Sequence, residues 1–307
     1  MEDITNVLSI DVEEHFHAQE VQPFVDTRRW SLLPSRVEAQ THFVLDLIAT
    51  HNVSATFFVL GWVAERYPAL VRRIVKEGHQ VGCHSYAHRL VYELTPTEFR
   101  RDTHKAVEAI QNACGKTPLV YRAPSYSITS KSLWALDILA EYGFTHDSSI
   151  YPISHDRYGI PGSERHPYVI TTASGPIREI PIATVRLSSN RVAPVGGGAY
   201  LRLLPYRYTA AGIRRINGRE HESACIYFHP WELDIRQPRM AAGWISRLRT
   251  YAGLTRMVAK VSRLLEDFRF STIAEVHAGM LHGGAKAGCS MQAPQQEPNL
   301  ETLAAAS

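Results

Sequence analysis

His84-Ser85-Tyr86-Ala87-His88 sets two imidazoles four residues apart. On a helical turn this spacing directs both rings to one side and suits two ligands of one tetrahedral zinc ion. A second constellation, Asp11-Val12-Glu13-Glu14-His15-Phe16-His17, begins where the apolar run Val7-Leu8-Ser9-Ile10 ends. In an extended backbone Asp11 and Glu13 share a face while Glu14 points away. One acid can then ligate a cation while its neighbour acts as a base. Arg122, Asp147 and His229 each stand just beyond a further apolar extended stretch. Taken singly, these are a surface cation, a helix cap and a core histidine. Taken together, five strand ends carrying His, Asp, Glu or Arg match a (β/α) barrel, which presents its active site at the carboxyl ends of its strands.

The elements that must position these residues follow from periodicity and punctuation. Extended segments are expected at 6–10, 54–60, 79–83, 119–122, 144–147 and 224–228. Between them lie amphipathic helices. The first should open on a capping box of Ser35 and Glu38, and 68–77 carries Leu70, Val71, Ile74 and Val75 before the C-cap Gly78. Thr95, Pro96 and Glu98 start a helix that reaches Gly115, and Thr129 starts another that stops at Gly143. Strands alternating with helices of this length imply βαβ units and a parallel sheet. The stretch 152–222 breaks the rhythm with turn clusters, a strand-like 177–187 and a flexible Gly196-Gly197-Gly198, and reads as an insertion in a domain spanning 1–282. The rhythm returns at 224–228 and a helix around Leu254, Val258, Val261 and Leu265. From 283 to 307 the composition turns to Gly, Ala, Gln, Pro and Ser, the profile of a disordered tail.

Composition excludes some classes. The 307 residues are 45% apolar and 21% charged, as in ordinary globular proteins. A formal charge of +3 offers no bulk attraction to nucleic acid or to a membrane surface. Cys83, Cys114, Cys225 and Cys289 form no CxxC pair and read as reduced thiols. The chain has no basic-then-apolar leader at its start and no 18-residue apolar run, so a cytoplasmic protein without a transmembrane segment is expected.

In order along the chain, these motifs resemble those of the polysaccharide deacetylases with the nodulation-protein-B homology domain, carbohydrate esterase family four. The acidic motif is similar to Asp11 to Glu14, and the His-Ser/Thr-x-x-His motif to His84 to His88. The arginine motif resembles Arg122-Ala123-Pro124-Ser125-Tyr126, the aspartate motif Asp147-Ser148-Ser149, and the last histidine motif Phe228-His229-Pro230-Trp231-Glu232. The resemblance covers about residues 5 to 275. Gly196 to Pro205 and the form Asp-Val-Glu look like the subgroup tied to bacterial exopolysaccharide synthesis and exosortase loci.

The resemblance implies a distorted (β/α)7 barrel that hydrolyses N-acetyl groups on the aminosugars of a glycan, with a divalent metal, Zn²⁺ above others. Where the family has two adjacent aspartates this chain has Val12 second; an Asp-x-Asp version found in some relatives maps onto Asp11 as base and Glu13 as metal ligand, beside His84 and His88. His229 would protonate the departing amine, Arg122 would orient Asp11, and Asp147 would hold Arg122 or His229. Tyr126, Tyr151, Tyr200 and Trp231 are candidates for apolar contact with sugar rings. Two rival readings are a metal-dependent hydrolase of a small amide on this fold, favoured by a closed pocket, and a silent glycan-binding protein.

Overall fold

The computed structural model describes residues 4–188, 191–240 and 243–278. Its first half alternates β1 (Asn6–Val12), α1 (Val37–Ala49), β2 (Thr56–Val59), α2 (Gly61–Arg66), α3 (Pro68–Lys76), β3 (Gln80–Cys83), α4 (Pro96–Cys114), β4 (Val120–Tyr121), α5 (Trp134–Glu141) and β5 (His146–Asp147). There follow the hairpin of β6 (Tyr168–Thr172) and β7 (Gly175–Glu179), the ribbon of β8 (Thr184–Ser188) and β9 (Arg191–Pro194), then α6 (Gly198–Leu203) and α7 (Tyr206–Arg215). The last elements used below are β10 (Cys225–Phe228), α8 (Trp244–Tyr251), α9 (Met257–Asp267) and β11 (Phe270–Ser271).

The path β10-β1-β2-β3-β4-β5-β7 is parallel at every step, with β6 antiparallel outside β7 and β11 beside the start of β1. Its two ends meet where the Ala183 N–H donates to the Cys225 carbonyl at 3.0 Å, so seven strands curl into a distorted (β/α)7 barrel. Every residue of β1 is buried, as expected for a strand covered on both faces. Leu8, Ile10 and Val12 face the layer under the helices, together with Val44, Leu45 and Ile48 of α1. Val7 faces the interior with Phe58, Val120 and Tyr227. Each such side chain contributes about 1.5–3 kcal/mol by leaving water, which fixes the register and sends Ser9 and Asp11 inward with Val7.

Several expectations need correction. The region 152–222 is not simply an insertion, because it contains β7, a barrel strand paired with β5. The extended run 177–187 breaks between β7 and β8, where Pro181 has no N–H to continue a ladder. Gly196 to Gly198 is a tight contact: a Cβ on Gly197 (φ 102°) would lie 1.9 Å from the Tyr227 ring. Helix α1 does not open on a Ser35–Glu38 box. Arg36 occupies the N-cap without a side-chain cap, and the Glu14 carboxylate accepts from the N–H of Arg36 at 2.9 Å and of Val37 at 3.2 Å instead. Residues 129–132 form a turn before α5, closed by the Thr129 N–H on Ser132 Oγ. The Thr95–Glu98 box and the left-handed Gly115 do bound α4. Cys83, Cys114 and Cys225 are free thiols. Cys289 and the 283–307 tail lie outside the described residues. Among the described residues no helix is long and apolar enough to cross a membrane.

Candidate active site

The alternation along β1 carries one residue past the strand. Glu13 turns into the barrel mouth, whereas Glu14 turns out to α1. Glu13 Oε2 lies 2.7 Å from His88 Nε2 and 4.0 Å from His84 Nε2. One ligand atom from each of Glu13, His84 and His88 falls within 4.8 Å of the others, and all three residues are buried. The two histidines do not sit on a helical turn. Residues 84–88 are a loop in which Ser85 (φ 64°) and His88 (φ 52°) are left-handed, a conformation that costs non-glycine residues about 1–3 kcal/mol each. The fold holds it there: the Asp102 carboxylate of α4 accepts from the N–H groups of Tyr86 and Ala87, and Ser85 Oγ accepts from the N–H of His88.

These residues fit a divalent cation. His84 Nδ1 is 2.8 Å from the Arg122 carbonyl, so it carries the proton and leaves the Nε2 lone pair facing Glu13. Burial pushes the His84 pKa down to about 4, which keeps the ring neutral as a ligand must be. Burial opposes charge on Glu13 too, but His88, His229 and His84 outweigh it and hold the carboxyl well below its usual range. Glu13 Oε2 and His88 Nδ1 are buried with no hydrogen-bond partner aligned on them. Two imidazoles and a carboxylate form a donor set suited to zinc.

Beside this cluster Asp11 Oδ1 accepts from Arg122 Nη1 at 2.8 Å. Arg122 is fully buried and held on every side: Nη1 also donates to Ser9 Oγ, Nη2 to Ser148 Oγ, Nε to the Ser148 carbonyl, and its guanidinium stacks 4.2 Å from the centre of the Phe58 ring. That stacking depends on Gly82 in β3, where a Cβ would stand 2.7 Å from the Phe58 ring. Burial disfavours the guanidinium charge, but Asp11 opposite outweighs it and raises the pKa further.

His229 closes the other side, with Nε2 3.9 Å from Asp11 Oδ2 and 3.6 Å from Glu13 Oε1. Its Nδ1 lies 2.9 Å from Glu232 Oε2, and Glu232 Oε1 accepts from Arg202 Nε at 3.0 Å. Burial alone would lower the His229 pKa; Glu13, Glu232 and Asp11 override it and raise it to about 9. These carboxylates favour the imidazolium, the form that can give up a proton. Trp231 Nε1 donates to Glu13 Oε1 at 3.0 Å, which aims the acid at the histidines.

Asp147, expected to hold Arg122 or His229, has different partners: Ser149 Oγ donates to it at 2.6 Å, and it faces Glu179. Ser149 Oγ in turn accepts from the N–H of Ala123, so this pair braces the backbone next to Arg122. Tyr126, Tyr200 and Trp231 line a cavity of about 470 Å³ with Asp11, Glu13, His84, His88 and His229. Tyr151 is fully buried, stacked at 5.9 Å on Tyr158 and edge-on to Tyr126, so it supports the wall from behind. Sequence reasoning passed over Glu232, Arg202 and Asp102. Glu232 lies within a motif quoted above and had a signal, its three-residue spacing from His229; Arg202 and Asp102 had none.

Comparison with known proteins agrees with this geometry. Residues 34–146 match the family model described as polysaccharide deacetylase, and residues 148–278 match a domain of unknown function, DUF3473. A peptidoglycan-N-acetylglucosamine deacetylase of Bacillus cereus is 38% identical over 95 residues, 31% of this chain and 34% of that protein. A chitooligosaccharide deacetylase of Bradyrhizobium is 40% identical over 98 residues, 32% of this chain and 42% of that protein. This chain thus matches about a third to two fifths of the length of these relatives. A crystal structure from Mycobacterium smegmatis, classed as a polysaccharide deacetylase, superimposes with a TM-score of 0.58 at 20% identity, covering 97% of this chain and 96% of that one, and so shares the fold. By sequence match, residues 34–146 resemble the polysaccharide deacetylase family, and the described barrel has the fold of the Mycobacterium smegmatis structure.

Proposed function

We propose that this protein is a metal-dependent hydrolase that removes acetyl groups from the N-acetylated aminosugars of a bacterial polysaccharide or its precursor. The observation that carries the reading is the convergence of Glu13, His84 and His88 in one cavity with an Arg122-paired Asp11 and a His229 held by Glu232. A divalent cation, zinc by donor set, would be held by Glu13, His84 and His88, where it would polarise the acetyl carbonyl and lower the pKa of a nearby water toward about 7. Asp11 takes the proton of the attacking water, its orientation set by Arg122. His229 donates its Nε2 proton to the sugar nitrogen as the C–N bond breaks, so that a neutral amine departs. Glu232, itself pinned by Arg202, holds the His229 ring at Nδ1 and favours its charged form. The products are acetate and the free aminosugar. Acetate release from a panel of N-acetylated oligosaccharides, with and without chelator, tests the reading; metal-independent release, or none from any glycan, refutes it.

A further inference from the structure

The chain segment that follows β1 crosses the barrel mouth. It leaves β1 on one side and is tied to loops on the other: Gln22 Nε2 donates to the His88 carbonyl after β3 at 3.0 Å, and Gln19 Oε1 accepts from Ser125 Oγ after β4 at 3.3 Å. Glu20 Oε1 then accepts from two arginines at once, Arg157 Nη2 of the loop after β5 at 2.5 Å and Arg249 Nη1 of α8 at 3.3 Å. The ring continues inward, since Arg202 Nη2 donates to the Arg249 carbonyl and Arg202 Nε to Glu232 beside His229. Gln19, Glu20, Arg157, Arg202 and Arg249 all line the cavity that holds the reactive groups. The loops after β3, β4 and β5 and helix α8 are thus joined through this strap.

A polymer bound at an internal sugar must leave its site in two directions. Here the strap and its ion pairs stand across the mouth, and the cavity of about 470 Å³ falls in the 300–1,000 Å³ range of pockets that enclose one small ligand. Building on the deacetylase reading above, we infer that this site takes the end of a glycan chain, or a short oligosaccharide, and removes the acetyl group of a terminal sugar. Glu20 is the specificity-determining residue, because it alone ties the segment after β1 to both Arg157 and Arg249 among the bonds described here.

The test is a pentamer of N-acetylglucosamine, isotopically labelled at its reducing end, with the free amines located by tandem mass spectrometry. The parent protein should place the free amine on one end of the chain, with internal positions at least about tenfold lower. Glu20→Ala and, separately, Arg249→Ala should bring that ratio down at least about tenfold as the mouth opens. The ratio is internal to each sample, so a partly unfolded variant lowers all positions alike and leaves it unchanged. Internal free amines in the parent, or a ratio that neither variant alters, would overturn the inference while leaving the deacetylase reading intact. Absence of free amine anywhere on the pentamer and on longer or shorter oligomers would overturn both.

Discussion

Replacing Glu14 by alanine should destabilise the fold without weakening metal binding, although Glu14 adjoins the proposed ligand Glu13. Glu14 is fully buried on the outer face of the strand end, where its carboxylate accepts from the first N–H groups of α1, at Arg36 and Val37, and from Ser35 Oγ. A helix cap is worth about 1 kcal/mol. A carboxylate at a partly buried helix N-terminus adds up to about 2 kcal/mol, and stranding buried N–H groups costs about 1–3 kcal/mol. These contributions overlap, so the alanine variant should lose about 3 kcal/mol, a fall of roughly 6–12 °C in the unfolding midpoint for a domain this size. Glu14→Gln keeps one acceptor oxygen and should lose about 1 kcal/mol. Thermal unfolding followed by far-ultraviolet circular dichroism measures the loss, and zinc titration of the folded variants at low temperature measures binding. Glu13→Gln should show the reverse pattern, weak binding with near-parental unfolding of the metal-free protein. If Glu14→Ala unfolds like the parent, or the folded variant loses zinc while Glu13→Gln keeps it, the assignment of the two acids to opposite faces is wrong.

Other substitutions probe the remaining parts. His84→Ala or His88→Ala should abolish metal binding and acetate release together, as measured by elemental analysis and turnover; full occupancy in the double variant would refute the ligand set. His229→Ala should keep the metal and lose about 10²- to 10⁴-fold in amide turnover. An aryl acetate, whose leaving group needs no proton, should be affected far less, and equal losses on both substrates would remove His229 as the acid. Asp147 and Glu179 are buried face to face; burial and then Asp147 hold the Glu179 carboxyl protonated well above its ordinary 4.5. The folded protein therefore binds a proton that the unfolded chain releases. The stability it supplies is complete below about pH 4.5 and declines, by up to about 1.4 kcal/mol per pH unit, as pH rises toward the folded value. Glu179→Gln, whose amide donates without a titrating proton, should flatten denaturant-measured stability across that window. An unchanged slope would show that no shared proton exists.

Much of this architecture could be read from local pattern, because period-two and period-3.6 burial are written residue by residue. The alternation in Val7 to Glu14 placed Asp11 and Glu13 together and Glu14 opposite, and Thr95 with Glu98 marked the start of α4, since each is a contact within one element. What lay beyond reach were contacts between segments far apart in the chain. Arg202 and Glu232 are 30 residues apart, Asp102 and the 84–88 loop about 15, Asp147 and Glu179 lie on neighbouring strands β5 and β7, and Glu20 meets Arg157 across 137 residues. Each contact exists only once the order of strands and the path of the crossovers are set. For the same reason the His84–His88 spacing, compatible with a helical turn in isolation, became a left-handed loop: Asp102 of α4 captured the Tyr86 and Ala87 amides that a helix would have turned inward. Local sequence chose which face each reactive side chain takes, and the closed barrel chose which partner it meets there.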